Sequence, residues 1–163
     1  MHNSKDEVYL QECVNLATAS VATGGGPFAA IVVRAGQVVA RACNQVAHQC
    51  DPTAHAEVEA IRLAARELAT PHLTESTLYA SCEPCPMCLA AILWAQIPRV
   101  RFAADHRQAQ RAGFDDTRIA MNLYGQVRPA SLETDWLDLQ HVPIADAAAP
   151  FDAWLAKADR IPY

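Results

Sequence analysis

Two short stretches decide how this chain folds and what it binds: His55-Ala56-Glu57 and Cys82-Glu83-Pro84-Cys85-Pro86-Met87-Cys88. A histidine, a glutamate two residues later and a Pro-Cys-x-x-Cys further along supply three metal ligands and one carboxylate. His55, Cys85 and Cys88 leave one position of a tetrahedral zinc ion for water, which is the pattern of a catalytic site. We therefore expect one Zn²⁺ per chain, which lowers the pKa of its bound water and so supplies hydroxide near neutral pH.

The position of Glu57 predicts that its carboxylate points into the protein. A helix is predicted to follow Asp51-Pro52-Thr53 and to run to about Leu68, with Ala60 and Ile61 on its buried face. Glu57 lies three and four residues before these two, so it shares their face. Because an unpaired buried carboxylate is costly, this position indicates a catalytic proton shuttle rather than a surface carboxylate near a helix N-terminus.

Other metal sites are possible with the same residues. Cys82, Cys85 and Cys88 together with His55 could close a structural Cys₃His zinc site or donate to an iron–sulfur cluster. A closed structural site needs no carboxylate beside the metal, and an iron–sulfur cluster usually takes a fourth cysteine. Both observations favour the open, catalytic site.

The order of the predicted elements indicates an α/β fold. Strands at 28–34 and 37–44 flank Ala35-Gly36 as a hairpin, and strands then alternate with helices, which predicts a mixed sheet covered on both faces. Further strands are predicted at 77–81, 99–104 and 139–144, and further helices from Ser4, over 86–95, from 105 to 113 and over 150–158. The 86–95 helix is almost wholly apolar, so we expect it to be buried on all sides.

Composition excludes several classes of protein. A chain of 163 residues, 52% of them apolar, suits one domain with a sizeable core, and no apolar run reaches the roughly 18 residues of a membrane span. The net charge of −5 and the absence of a Lys/Arg cluster argue against a nucleic-acid partner. The cysteine spacing is typical of metal binding rather than disulfides, and the polar N-terminus has no signal-peptide core. We therefore expect a cytoplasmic protein.

Four further side chains are candidates for substrate binding, each with a simpler explanation. Asn44 at a strand end has donor and acceptor atoms for a heterocycle edge, or it forms an Asx turn. Trp94 is either a stacking platform or a core residue. Asp115 and Asp116 either meet the substrate or cap a helix that begins at Thr117.

With these residues in hand, the chain resembles the cytidine deaminase superfamily and, within it, the bacterial guanine deaminases of that fold. The resemblance rests on 55–58, on 81–88, on Ala112-Gly113-Phe114-Asp115-Asp116 and on the terminal Tyr163. It implies a single zinc domain over 1–163, a three-layer α/β/α sandwich with a mixed five-stranded sheet. The implied reaction is hydrolysis of guanine to xanthine and ammonia.

The resemblance also implies how the base is held. Asn44, the backbone amide of Ala56 and Asp116, rather than Asp115, would bind its polar edge. Phe28, Trp94, Phe114 and Tyr163 complete the expected set of substrate-binding residues. The family further implies a homodimer in which 145–163 crosses to the neighbouring subunit and closes its site. Phe28-Ala29-Ala30 departs from the Phe-Gly-Ala of many relatives, which leaves the substrate range open.

Four alternative functions remain at this point. Guanosine and amino-triazines such as ammeline are substrates of similar enzymes, and the first two motifs also occur in tRNA adenosine deaminases. A tRNA-editing enzyme would need a basic groove, which this acidic chain lacks. A non-catalytic zinc module would have no use for Glu57.

Overall fold

The structure is a computed structural model that describes residues 4–126, 133–134 and 136–163 of the chain. Seven helices and six strands are found in these ranges. In chain order they are α1 (Ser4–Ala22), β1 (Ala29–Arg34), β2 (Gln37–Cys43), α2 (Val46–Gln49), α3 (Ala56–Glu67), β3 (Ser76–Cys82), α4 (Pro86–Trp94), β4 (Arg99–Ala104), α5 (His106–Arg111), α6 (Thr117–Tyr124), β5 (Glu133–Thr134), β6 (Leu137–His141) and α7 (Ala149–Ala156).

The strands form one mixed sheet in the order β2-β1-β3-β4-β6-β5. β1 pairs antiparallel with both β2 and β3, whereas β3, β4 and β6 run parallel to one another. The predicted mixed five-stranded sheet is confirmed, and the two-residue strand β5 extends its edge by pairing with β6. The predicted hairpin is β1 and β2.

Alternating residues of the central strands face two separate cores, as the period of two in a strand requires. Ala30 and Val32 of β1 pack in the layer that contains α3 and α4. Ile31 and Val33 face the opposite layer, where α1, α5 and α7 contribute apolar side chains. The sandwich therefore has helices on both faces. Among the described helices, none is long and apolar enough to span a membrane.

The parallel part of the sheet creates the crevice in which the two motifs meet. β3 ends at Cys82 and β4 at Ala104, and their carboxyl ends lie at the same edge because the two strands are parallel. α4 begins at Pro86 and α5 at His106, directly after these strands. This edge is the usual ligand site of an open α/β sheet.

Two predictions about local structure were wrong. α4 is not buried on all sides, because Ala90 and Trp94 point away from the core and Trp94 is 85% exposed. The last strand is Leu137–His141 rather than 139–144. The short helix α2 was not predicted, since four residues are too few to show a helical period.

Candidate active site

The three predicted ligands converge at the N-termini of two helices. His55 is the N-cap residue of α3 and Cys85 that of α4, while Cys88 lies in the first turn of α4. Nδ1 of His55 lies 3.6 Å from Sγ of Cys85 and 3.5 Å from Sγ of Cys88. A tetrahedral zinc ion with bonds of about 2.0 Å to nitrogen and 2.3 Å to sulfur separates such atoms by about 3.5 Å. The donor set and its spacing therefore fit Zn²⁺.

The protonation of the two thiols also indicates a cation site. The Cys88 thiol and the neighbouring His55 ring lower the pKa of Cys85 to about 4. The same hydrogen bond to Cys85, together with burial, raises the pKa of Cys88. Without a metal, the pair thus shares one proton, and a dication between the sulfurs would stabilise both as thiolates. Burial alone would lower the pKa of His55, but the adjacent Cys85 raises it overall.

Glu57 occupies the buried position that the sequence predicted. It lies in the first turn of α3, is only 8% exposed and lines the same cavity as His55 and Cys85. Burial raises its pKa to about 7, and the negative charge of Cys85 acts in the same direction while His55 opposes it. A carboxyl group with this pKa can take up and release a proton at neutral pH.

Cys82 belongs to β3 and not to the ligand cluster. Its thiol donates a hydrogen bond to the carbonyl oxygen of Asp105 at 3.8 Å. Within the described ranges, the only cluster of three or more potential ligands is His55, Cys85 and Cys88. The closed Cys₃His alternative is therefore wrong for this structure, and the open three-ligand site is the one observed.

A cavity of about 300 Å³ opens onto these ligands. Aromatic rings form one end of it: Phe28 packs edge-on against Phe114 with centroids 4.8 Å apart, and Phe114 contacts Tyr163 at 5.4 Å. Further apolar side chains and a few polar groups form the rest of the wall. Its lining includes Phe28, Asn44, His55, Glu57, Glu83, Cys85, His106, Phe114, Asp115, Asp116 and Tyr163. An apolar cavity with a few convergent polar groups is typical of a small-molecule site.

Asn44 lies at the end of β2 and is 1% exposed. Its Oδ1 accepts a hydrogen bond from the Val46 amide at 3.1 Å, so the Asx-turn alternative is correct for the oxygen. The side chain nevertheless lines the cavity. The turn fixes the orientation of the side chain and leaves the amide nitrogen able to donate to a ligand, as the predicted substrate-binding role requires.

The two aspartates after Phe114 have different surroundings. Asp115 is exposed, and its carboxylate accepts from the Thr117 amide at 3.0 Å, an interaction that lowers its pKa. Asp116 is half-buried, and its side chain makes no capping hydrogen bond to α6. Its negative charge lies close enough to His55 to raise the pKa of the His55 ring. The predicted helix cap is thus Asp115, while Asp116 is the better placed of the two for a ligand.

The C-terminal residue reaches into the cavity. Tyr163 lines it beside Asn44, and burial together with the charge of Glu57 raises the pKa of the phenol. The aromatic contacts of Tyr163 extend to Trp154 of α7, whose ring lies 6.3 Å away. Tyr163 is therefore held on the cavity by the rings of Phe114 and Trp154.

Two other predicted residues lie outside the lining. Trp94 is the last residue of α4, a helix whose first turn carries the ligands, so its ring lies roughly 12 Å along the axis from them. The stacking role predicted for Trp94 is wrong within this chain. The Ala56 side chain is fully buried, but its backbone amide is at the first position of α3, where helical N–H groups have no partner in the helix.

The sequence interpretation missed Glu83 and His106, which line the cavity together. One Oε2 atom of Glu83 accepts from the His106 backbone amide at 3.0 Å and from His106 Nδ1 at 2.9 Å. Two signals could have identified the pair. Glu83 lies within the Cys-x-x-Cys-x-x-Cys stretch, and His106 follows the end of a strand that is parallel to β3.

A three-ligand zinc site beside a buried carboxylate, at the open edge of an α/β sheet, defines a zinc-dependent hydrolytic deaminase. Residues 3–104 match the cytidine and deoxycytidylate deaminase zinc-binding region. The chain therefore belongs to the cytidine and deoxycytidylate deaminase family, and Zn²⁺ is its cofactor.

Individual relatives resemble the chain to different extents. Guanine deaminase from Bacillus subtilis is 43% identical over 159 residues, or 96% of this chain and 98% of that protein. Its crystal structure covers 99% of both chains with a TM-score of 0.70. Guanine deaminase from Nitrosomonas europaea covers 96% of this chain and 87% of its own, at 27% identity and a TM-score of 0.80. A tRNA-specific adenosine deaminase from Bacillus subtilis is 36% identical over 62% of this chain and 63% of its own.

Proposed function

We propose that this protein hydrolyses guanine to xanthine and ammonia. The observation that carries the proposal is Asp116 on the wall of the cavity that Glu57 and the zinc ligands His55 and Cys85 also line. One carboxylate can accept hydrogen bonds from N1–H and from the exocyclic amine of guanine together, a pair of donors that adenine and cytosine do not present. The similarity over nearly the full length to a guanine deaminase supports the same substrate.

The chain supplies the proton transfers of the reaction. When bound, Zn²⁺ acts as a Lewis acid that lowers the pKa of water. Glu57 takes one proton from the attacking water and delivers it to the ring nitrogen next to C2. As the C2–N bond breaks, Glu57 passes the second proton to the departing amine, so water and guanine become xanthine and ammonia. The buried position of Glu57 and its pKa of about 7 suit both transfers.

The remaining cavity residues orient the base. Phe28 and Phe114 offer ring surface for the flat purine, and the amide groups of Asn44 and Ala56 can bind its polar edge. Tyr163 covers the cavity and excludes water from the reacting atoms. This division leaves metal binding to His55, Cys85 and Cys88 and leaves base choice to Asp116.

We further propose a homodimer in which residues 145–163 cross between subunits. Swapping preserves the contacts of α7 and Tyr163 while exchanging the chain that provides them. Exposed apolar side chains on α4 and α6, including Trp94 and Leu123, offer a surface for the second subunit.

The alternatives are less well supported. The net charge of −5 disfavours tRNA, and the similarity to the tRNA enzyme ends after about 60% of the chain. Guanosine and ammeline share the donor pair of guanine and remain candidate second substrates. None of the six cysteines forms a disulfide, which supports a reducing compartment such as the cytoplasm.

Ammonia release from guanine, guanosine, ammeline, adenine and cytidine tests the proposal. We expect guanine to have the highest kcat/KM and adenine and cytidine to give none. Glu57→Gln is the matched control, because it keeps the size of the side chain and removes the proton shuttle. It should retain stoichiometric zinc and the melting temperature while turnover is lost. Equal turnover by Glu57→Gln, or a preference for adenine or cytidine, would contradict the proposal.

A further inference from the structure

Outside the residues assigned to the reaction, the Glu83–His106 pair is the most rigidly built feature of the cavity. Glu83 holds both the backbone and the ring of His106 through one carboxylate oxygen, at 3.0 and 2.9 Å. The start of α5 is itself fixed, since Asp105 accepts from the Gln108 amide and the Gln108 side chain accepts from the Asp105 amide, both at 2.9 Å. The His106 ring therefore has little freedom to turn.

The bond to Glu83 determines what the ring presents to a ligand. Because a carboxylate only accepts, Nδ1 carries a proton, and in the neutral form of the ring the lone pair is then on Nε2. Within the described ranges Nε2 has no hydrogen bond, while the side chain lines the cavity and is 26% exposed. An occupant of the cavity thus meets a fixed hydrogen-bond acceptor at this point.

His106 lies at the opposite end of α5 from the aspartate pair. α5 has six residues and is about 9 Å long. His106 is the first residue of α5, whereas Phe114-Asp115-Asp116 come after the helix has ended. A purine whose N1–H and exocyclic amine point to Asp116 extends its five-membered ring away from that end. In free guanine this ring carries an N–H at position 9, and in guanosine it carries the ribose instead.

We propose that His106 Nε2 accepts a hydrogen bond from N9–H of the free base, so that this residue makes the enzyme select guanine over guanosine. The inference rests on the proposed function. His106 contacts the base in this arrangement, and Glu83 is a positioning residue that fixes the tautomer and orientation of the ring. A nucleoside lacks the donor and places its sugar against a ring that cannot move aside.

The test compares guanine with two analogues altered at position 9: 9-methylguanine, and 9-deazaguanine, in which a C–H replaces N9–H and the ring proton lies on N7. We expect the wild-type kcat/KM to fall by about 10- to 100-fold for both analogues, because the lone pair of His106 is left without a donor. His106→Asn keeps a donor for Glu83 and removes the acceptor at Nε2. The kcat/KM of His106→Asn should fall by a similar factor for guanine, but by less than about threefold for 9-deazaguanine.

Two further variants keep the test decisive if His106→Asn is unstable. His106→Gln places an acceptor near the Nε2 position and should retain part of the preference for guanine over 9-deazaguanine. Glu83→Ala releases the ring and should lower the guanine to 9-deazaguanine ratio towards one. Arg107→Ala, at the exposed next position of α5, is the control and should keep wild-type rates.

Each other outcome has a definite meaning. Equal losses on guanine and 9-deazaguanine in His106→Asn would assign His106 a purely structural role and overturn the inference. Equal wild-type rates on these two purines would overturn it as well, while leaving guanine deamination intact. No turnover of guanine by the wild type would instead overturn the proposed function, and this inference with it.

Discussion

Gly26 leaves room for the hydroxyl group of Tyr163. A Cβ atom at Gly26 would lie 1.7 Å from Tyr163 Oη and 2.8 Å from Cζ of the same ring. No such separation is possible between non-bonded atoms, so only glycine at position 26 lets the C-terminal ring enter the cavity in this position. A residue at the start of the β1 segment and the last residue of the chain are thus sterically coupled.

Gly26→Ala should therefore displace Tyr163 without unfolding the protein. The clashing atoms belong to the end of a terminal side chain, which can move away at little cost in stability. We expect kcat/KM for guanine to fall by about 10- to 100-fold because water enters the cavity, with zinc content unchanged. Steady-state kinetics on Gly26→Ala, on a Tyr163 deletion and on the double variant check this, and the two losses should not add.

Tyr163→Phe provides the control for this coupling. It removes the hydroxyl nearest to position 26, so Gly26→Ala should cost less activity in the Tyr163→Phe background than in the wild type. Full activity of Gly26→Ala alone would show that Tyr163 does not cover the cavity during turnover.

The second prediction concerns the metal. Cys85→Ser and Cys88→Ser should lose zinc and activity, because each removes one of three ligands. Cys82→Ser should keep about one zinc per chain and most activity, since its thiol lies outside the ligand cluster and donates to the Asp105 carbonyl, which a hydroxyl can also do. Metal analysis of the purified variants measures this. Loss of zinc from Cys82→Ser would mean that the site is closed by a fourth protein ligand.

The zinc site could be predicted from sequence because its geometry is local to two helix N-termini. His55 and Glu57 both lie at the start of α3, and Cys85 and Cys88 both lie at the start of α4. Two short segments therefore determine the whole site. The burial of Glu57 followed from the helical period alone. The layer order followed in turn from the alternation of helices and strands.

The errors arose where tertiary packing decides exposure. Trp94 lies on a helix that is apolar all round, and no pattern within it distinguishes the face that packs on the sheet from the face that does not. The Glu83–His106 pair joins residues that are 23 positions apart and meet only because β3 and β4 are parallel neighbours. A contact of this kind becomes visible only once the strand order is known.

The third prediction separates the two aspartates. Asp116→Asn presents an amide to two donors of guanine, leaving a buried mismatch of about 1–3 kcal/mol, so kcat/KM should fall by about 5- to 150-fold with zinc retained. Asp115→Asn should keep most activity and nearly the wild-type melting temperature, because the Asn oxygen can still accept from the Thr117 amide. Kinetics and thermal unfolding of both variants decide the matter. The opposite pattern of losses would move base recognition to Asp115.

The fourth prediction concerns the surface of α4. Trp94 is 85% exposed, and an aromatic residue in this position suits the centre of a subunit interface. Trp94→Glu should convert the dimer to monomer at micromolar concentration, as measured by sedimentation. Val8→Glu, at a 66% exposed apolar position on α1 in the opposite layer, is the control and should leave the dimer intact. Dissociation by Val8→Glu alone would place the interface on α1.

The last prediction concerns which chain supplies the C-terminal segment. Deleting Ile161 to Tyr163 should leave a folded dimer that retains zinc but has little activity, since the rings that hold Tyr163 belong to Phe114 and Trp154 rather than to the metal site. Glu57→Gln is inactive for a different reason. A mixture of these two inactive proteins exchanges subunits and forms heterodimers.

In a heterodimer with crossed tails, the chain with the intact Glu57 receives the intact tail of its partner. One of the two sites is then complete, and each heterodimer should recover about half of the wild-type activity. If instead every tail covers its own site, no site combines Glu57 with Tyr163 and the mixture stays inactive. Subunit exchange is verified independently with two affinity tags. Absence of recovery despite exchange would therefore assign each tail to its own chain.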